Sequence, residues 1–440
     1  MNATGHRSPV VTPEGVPGEK GQAMSPRRKR TSLLGALLAV CWWGTFAATA
    51  QDFKFDGSMS RAVLENYLDR AVSFTELLHD DLTKPRNARG VDPKDNLRFI
   101  LETKTKFVGR ALMVWGREKE LPAFLETAKP FAAALHAADP DIILQAAAFE
   151  IVTPGVEAVA VPEGVLKEFG QPVESRNFRY QEMLYASGRF VNHWGRGSVP
   201  DMSRIETRMW FYFLVTSYID VGIEGIHFGQ VGLMDRNDSG HAGWRDMLGR
   251  VRAYAKEHAR RHFLVCDAHA PTGGFVEDGK LLFDFHSFPL RIAEVTDQPT
   301  HGVLKVGYAD SIFTKSKGGA TPSGWPCEHL PYLVEFDNFG RSNPGKPGKA
   351  PFIWGWDEIT WFALTPEKER NDWLRYAWKW VKDTDPNGHL QMPGSRLLSP
   401  GTPDGPRWYW ANTRSEACPN GSNTEATIKE IWGVDSATKK

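Results

Sequence analysis

Cysteine is scarce: four occur in 440 residues. Cys41 falls in an N-terminal leader. Cys266 is embedded in the apolar run Phe263-Leu264-Val265-Cys266 and reads as a buried thiol rather than a nucleophile. Cys327 and Cys418 lie in loop-like, proline-flanked sequence and make a candidate disulfide in an exported chain. An excess of either charge is also missing. Lys plus Arg and Asp plus Glu each number 53, so nothing points to nucleic acid or an acidic membrane surface as a partner. There is no Gly-x-Ser-x-Gly elbow for a serine nucleophile, and no His-x-His or His-Glu-x-x-His arrangement for zinc. Gly273-Gly274 and Gly318-Gly319 lack phosphate-loop spacing, which argues against nucleotide binding, and no cofactor is expected. No internal repeat or long low-complexity linker interrupts the chain after residue 51, which favours one compact domain.

What is present begins with a leader. Arg27, Arg28, Lys29 and Arg30 form a basic segment, residues 33–40 are apolar and continue through Trp42 and Trp43, and Ala48-Thr49-Ala50 offers small residues for cleavage. That order predicts a secretory signal. A spanning helix needs about 20 apolar residues, and Gly44, Thr45 and Thr49 dilute the run too soon, so no stable membrane insertion is expected after cleavage. Leu38-Ala39-Val40-Cys41 loosely resembles a lipobox and Arg27-Arg28 a twin-arginine signal. The predicted layout is a leader over 1–50, a catalytic domain over 51–390 and a C-terminal extension over 391–440 packing on it. The protein is expected to be secreted or periplasmic, with lipid anchoring at Cys41 as the variant.

Short apolar runs alternate with amphipathic helical stretches, the pattern of an α/β protein with a largely parallel sheet. Strands are predicted at 71–77, 107–115, 142–152, 223–231, 262–269, 281–286, 332–337 and 352–357. Helices are predicted at 60–69, 93–104, 118–137, 202–218, 242–258 and 366–382. Eight strands with interleaved helices over about 390 residues predict a (β/α)8 TIM-like barrel. Residues 270–280 are too few for a proper crossover helix, so that βα unit is either degenerate or a hairpin. Two long intervals, 153–200 and 288–331, are expected to wall a cleft on the C-terminal face, with the glycine- and proline-rich stretch 339–350 as a flap over it.

Charged residues in apolar strands need a physical reason. The third predicted strand ends near Glu150, the fifth carries Asp267 and His269, the sixth Asp284 and His286, the seventh Glu335 and Asp337, and the eighth ends with Trp356 and Asp357. Alternation along a strand places Asp267 with His269, Asp284 with His286, and Glu335 with Asp337 on shared faces. A carboxylate in a strand buried on both faces costs several kcal/mol unless it is paired or near solvent. The mouth of a barrel meets that condition. A structural ion network explains any one of these groups as well as a site does, but it is a weaker explanation for five strands at once. Trp115 and Trp356 stand at strand ends and offer flat faces of the kind that stack on sugar rings, while Trp194, Trp244 and Trp325 fall in loops or helix starts. Trp373, Tyr376 and Trp380, at helical spacing, read as core.

On these residues the chain resembles the superfamily of barrel-fold glycoside hydrolases, exported enzymes with paired carboxylates at strand ends, over roughly residues 73–382. In the best-known clan of that superfamily a glutamate acid/base ends strand four and a glutamate nucleophile ends strand seven. Glu335 matches the seventh-strand position, with Asp337 beside it. Ile226-His227-Phe228-Gly229-Gln230 places Gln230 where the acid would stand, so the chain is assigned to no particular family. The resemblance implies cleavage of a poly- or oligosaccharide by one carboxylic acid and one carboxylate nucleophile or base. Glu335 or Asp337 would be the basic partner and Glu150 or Asp267 the acid. Gln230, His269, His286 and Asp357 would bind sugar hydroxyls or tune the acid, and Trp115 and Trp356 would stack on the sugar. Two other readings use the same sequence. Asp267, His269, Asp284, His286 and Asp337 are donors suited to a metal-dependent hydrolase or isomerase. The missing strand-four glutamate fits a carbohydrate-binding protein that has lost catalysis.

Overall fold

The computed structural model describes residues 51–402 and 407–434. The predicted leader, with Cys41, lies outside the described residues. One large sheet is built from β1 (Ala71–Phe74), β2 (Phe107–Met113), β3 (Ile143–Ala147), β4 (Gly225–His227), β5 (Val265–Ala268), β6 (Phe285–Pro289), β7 (Tyr332–Glu335), β8 (Gly388–Leu390), β9 (Met392–Leu397) and β10 (Trp408–Trp410). Its order is β8-β7-β6-β5-β4-β3-β2-β1-β9-β10. Neighbours run parallel throughout, except that β9 and β10 are antiparallel. Only Gln391 separates β8 from β9, yet Leu390 pairs with Val334 of β7 while Met392 pairs with Val72 of β1. The protein is thus a mixed α/β chain around a curled ten-stranded sheet.

Burial explains why most of these strands are apolar runs: β1, β3 and β5 are buried at every position. The principal helices are α1 (Arg61–Leu68), α2 (Pro93–Glu102), α3 (Leu121–Ala138), α4 (Ile205–Ile219), α5 (Ala242–His258), α6 (Glu358–Leu364), α7 (Glu367–Thr384) and α8 (Glu425–Ile431). Their starts carry local signals. Ser60 Oγ accepts the Val63 N–H at 3.3 Å to begin α1, and Asp92 accepts the Lys94 N–H at 2.9 Å ahead of α2, whose first residue is Pro93. Helix α4 is apolar nearly all round because the 153–200 insertion covers its outer side. Phe178 meets Trp210 with ring centroids 5.1 Å apart, and Phe169 meets Tyr212 at 5.6 Å.

Several expectations are corrected. Residues 352–357 are not a strand: Trp354 and Gly355 have φ of 48° and 77°, and Ile353 and Trp356 exchange backbone hydrogen bonds of 2.9 Å across a tight turn. The strands that follow β7 in the chain lie at 388–390 and 392–397. β5 and β6 are parallel neighbours, so the runs holding them do not form a hairpin. The link between them carries a small hairpin of its own, Val276–Glu277 with Lys280–Leu281, in place of a helix. The 288–331 insertion docks on α7, where Trp373 Nε1 donates to the Gly302 carbonyl at 2.7 Å and Phe313 meets Trp380 at 4.9 Å. Cys327 and Cys418 are free thiols, so the candidate disulfide is not formed, and Cys266 is buried. Among the described residues no helix is long and apolar enough to cross a membrane.

Candidate functional site

The C-terminal ends of the parallel strands surround a cleft of about 540 Å³. Glu76 follows β1, Trp115 follows β2, Phe149 and Glu150 follow β3, Gln230 follows β4, His269 follows β5 and Asp337 follows β7; all line it. Arg110, His227 and Arg396 reach it from within β2, β4 and β9.

A bulge sets the position of Arg110. The register of β2 on β3 shifts between Val108 and Leu112, and Arg110 takes φ of 58° there, a conformation that re-aims its side chain. β2 and β7 are not neighbours in the sheet, yet Arg110 Nε donates to Glu335 Oε2 at 3.1 Å and Nη2 binds Oε1. Arg396 approaches the same carboxylate from β9, with Nη1 3.2 Å from Glu335 Oε2, and its Nη2 binds Asp337. Glu335 is therefore enclosed by two guanidinium groups and is 1% exposed. Asp337 stands two residues nearer the mouth, with its side chain 17% exposed. Burial alone would raise its pKa, but Arg396 and Arg110, with His269 and Arg291 behind them, hold it far below the ordinary carboxylate range.

Glu150 sits in the opposite kind of environment. It is buried and makes no ion pair among the described residues; its oxygens accept the Gln230 backbone N–H at 2.8 Å and Gln230 Nε2 at 3.0 Å. Burial pushes its pKa up in spite of these bonds. Gly229 has φ of 60°, and a Cβ there would collide with Glu150 Oε2, so the turn that brings Gln230 onto Glu150 needs glycine. Trp194 Nε1 donates to the Glu150 carbonyl at 3.1 Å. Trp115, 38% exposed, meets Phe149 at 5.1 Å and Trp194 at 5.7 Å, both edge-on. Burial also lowers the His269 pKa to about 3, although Asp337 pulls the other way.

The cleft thus brings together Glu150, Asp337, Trp115, Gln230 and His269 from the sequence-predicted set. Glu335 is a partner of the arginines and does not line it. Asp267 is fully buried and bonded to Gln145, His227 and Ser287. His286 is 1% exposed within β6, and Trp356 packs in the core beside its turn. Asp357 caps α6 instead of facing a ligand: it accepts from the Thr360 and Gly340 N–H groups, both at 3.0 Å, and from Ser399 Oγ at 2.5 Å. Asp284 accepts the Cys266 N–H at 2.9 Å, with Arg252 at 3.4 Å. Among the described residues, those of the rival metal-ligand reading included, no three His, Cys, Asp or Glu side chains are grouped to hold a metal ion.

Sequence reasoning passes over Arg110, Arg396, His227, Glu76 and Trp408, all of which line the cleft. Arg110 carries the same signal as the carboxylates, a charge inside an apolar strand. His227 lies in the fourth predicted strand, within the stretch that holds Gln230. Arg396 has no such signal, because β9 contains Pro393 and Gly394 and lacks an apolar pattern. Chemically, the cleft offers a carboxyl group whose pKa burial raises, Glu150, and one whose pKa neighbouring arginines lower, Asp337, beside exposed indole.

No family model matches the chain, and no curated protein matches it. Among solved structures it is similar to the debranching enzyme from Nostoc punctiforme, with a TM-score of 0.46 and 11% identity over 84% of this chain and 80% of that one. It is also similar to the glycoside hydrolase domain of PelA from Pseudomonas aeruginosa, with a TM-score of 0.26 and 9% identity over 67% and 90%. A third is the catalytic module of the glycogen-degrading pneumococcal virulence factor SpuA, with a TM-score of 0.39 and 11% identity over 89% and 63%.

Proposed function

We propose that this chain is a glycoside hydrolase acting on a poly- or oligosaccharide, with Glu150 as the acid and Asp337 as the nucleophile or base. The observation that carries the reading is that these two carboxyl groups line one aromatic-walled cleft, one buried without a cation and the other held by Arg396. A neutral Glu150 has a proton to give to the leaving glycosidic oxygen. An ionised Asp337 attacks the anomeric carbon or takes a proton from the attacking water. Trp115 and Trp194 supply faces and edges for the sugar, and Gln230 and His269 supply polar contacts. This chemistry needs no cofactor. We also read β8 and β9 as one eighth strand, interrupted at Gln391, that closes a (β/α)8 barrel in which the fifth unit lacks its helix. Export by the 1–50 leader suits a substrate outside the cytoplasm.

Gln230 at the end of β4, bonded twice to Glu150, favours a second reading, a carbohydrate-binding protein without turnover. One experiment separates the two. The protein is incubated with aryl glycosides and with plant, algal and host polysaccharides, and both reducing-end release and binding are measured. Turnover that falls at least about 100-fold in Glu150→Gln supports the hydrolase. Retention on a polysaccharide without turnover selects the binding reading. Absence of both contradicts both.

A further inference from the structure

Asp267 is surrounded by donors whose directions can be assigned. Gln145 Nε2 lies 2.5 Å from Oδ1, His227 Nδ1 lies 2.7 Å from Oδ2, and Ser287 Oγ binds Oδ2 as well. Gln145 accepts the Arg110 backbone N–H on Oε1 at 3.2 Å, so its Nε2 is the end that donates to Asp267. A carboxylate accepting from Gln145 and Ser287 has no proton to give. His227 therefore donates from Nδ1, and in the tautomer that carries its single proton there Nε2 is an acceptor.

That Nε2 has no hydrogen-bond partner among the described residues. The His227 ring is 2% exposed, forms part of the cleft wall, and lies edge-on to Phe149 at 5.6 Å. Other buried histidines with an unpartnered ring nitrogen, His79, His136, His286 and His389, do not line the cleft. His227 and Glu150 line the same cleft, and the ring that His227 meets, Phe149, belongs to the residue before Glu150. A buried acceptor left unpaired is costly, and the cost is recovered when a ligand supplies the donor.

We infer that Asp267 and His227 form a ligand-orienting dyad, in which His227 Nε2 accepts a hydrogen bond from a free hydroxyl of the sugar seated beside Glu150. The inference rests on the carbohydrate reading of the cleft and adds a specificity to it. An acceptor at this position selects a hydroxyl and rejects a sugar bearing a carboxylate, a sulfate ester or an O-methyl group there, since none of these has a proton to donate. His227 touches the sugar. Asp267, Gln145 and Ser287 are positioning residues that act through it.

Two measurements on the full chain test this. In protein labelled with 15N-histidine, long-range proton–nitrogen spectra at about pH 8, where an ordinary imidazole is neutral, report which ring nitrogen carries the proton. The dyad requires His227 to be protonated on Nδ1 alone. A proton on Nε2, in the other tautomer or in the imidazolium, overturns it. The second measurement uses His227→Asn, whose amide reaches the place of Nδ1 and keeps the bond to Asp267, and His227→Gln, whose amide reaches the place of Nε2. With the aryl glycosides and polysaccharides of the preceding screen as probes, His227→Asn is expected to raise KM, or Kd for a binder, about tenfold. Its melting temperature should stay near that of the parent, and His227→Gln should recover most of the loss. An unchanged KM in His227→Asn, or equal losses in both variants, overturns the dyad and leaves the hydrolase reading standing. A parent chain that neither binds nor hydrolyses any probe overturns both.

Discussion

Arg396 holds Glu335 and Asp337 with a single guanidinium group, Nη1 donating to Glu335 at 3.2 Å and Nη2 binding Asp337. Two carboxylates two residues apart, one at the end of β7 and the other just beyond it, thereby acquire different environments. Side chains at i and i+2 share a face but lie about 7 Å apart along the strand, so Glu335 sits a layer below the cleft and Asp337 at its edge.

Replacing Arg396 with methionine removes the largest of the cationic influences that hold Asp337 below the ordinary carboxylate range. The Asp337 carboxyl then returns toward the ordinary range and protonates sooner as pH falls, so the acid limb of the pH–activity profile moves to higher pH. Glu335 stays buried with one of its two partners gone, which costs about 3–5 kcal/mol by denaturant unfolding. An acid limb that stays in place would show that Asp337 is not the group titrating there.

Glu150→Gln should act differently on different leaving groups. Polysaccharide hydrolysis needs the proton and should fall by about 10²–10⁴-fold, whereas nitrophenyl glycosides, whose leaving group departs without one, should lose much less. The basic limb of the profile, set above the ordinary carboxylate value by the burial of Glu150, should disappear in the variant. Equal losses on both substrates would remove Glu150 from the acid role.

Glu358 gives a pH signature in stability rather than rate. It is fully buried and accepts the Arg291 N–H at 2.6 Å and the Asp337 N–H at 3.2 Å. Burial raises its pKa to about 8, with Arg291 pulling it down and Asp337 pushing it further up. The folded state therefore holds a proton that the unfolded chain releases near pH 4.3, roughly the value of a free glutamate. The contribution is complete below that value and is lost as pH rises through about 8. Thermal unfolding of the parent protein should show this decline between about pH 5 and 8, and Glu358→Gln should lack it.

Asp357→Ala separates capping from ligand binding. Loss of the bonds to Thr360, Gly340 and Ser399 should destabilise the fold by about 1–2 kcal/mol, with KM for any substrate unchanged. A large rise in KM at full stability would return Asp357 to the sugar site.

Most of the sheet was legible because its strands are buried on both faces and therefore read as apolar runs. The eighth region was not. β8 and β9 contain Gly388, Pro393 and Gly394, and a Cβ on Gly394 would press on Val72 and Phe74 of the adjoining β1, so close packing there selects small residues over the apolar pattern that marks a strand. The apolar run at 352–357 is instead a turn with Trp354 and Gly355 at positive φ. Glu150 and Asp337 were visible as charges in apolar strands. Their separation from Glu335 and Asp267 was not, because depth along the strand direction depends on Arg110, Arg396 and His227, which approach from other strands. Nothing in local sequence marks the bulge that turns Arg110 inward.

The central claim is that Glu150 and Asp337 act together on one glycosidic bond. Its most direct test is the turnover rate of the parent chain, Glu150→Gln and Asp337→Asn on a single polysaccharide that the parent hydrolyses. The account predicts that each variant loses at least about 100-fold while remaining folded. Parent-like rates in both variants would contradict it.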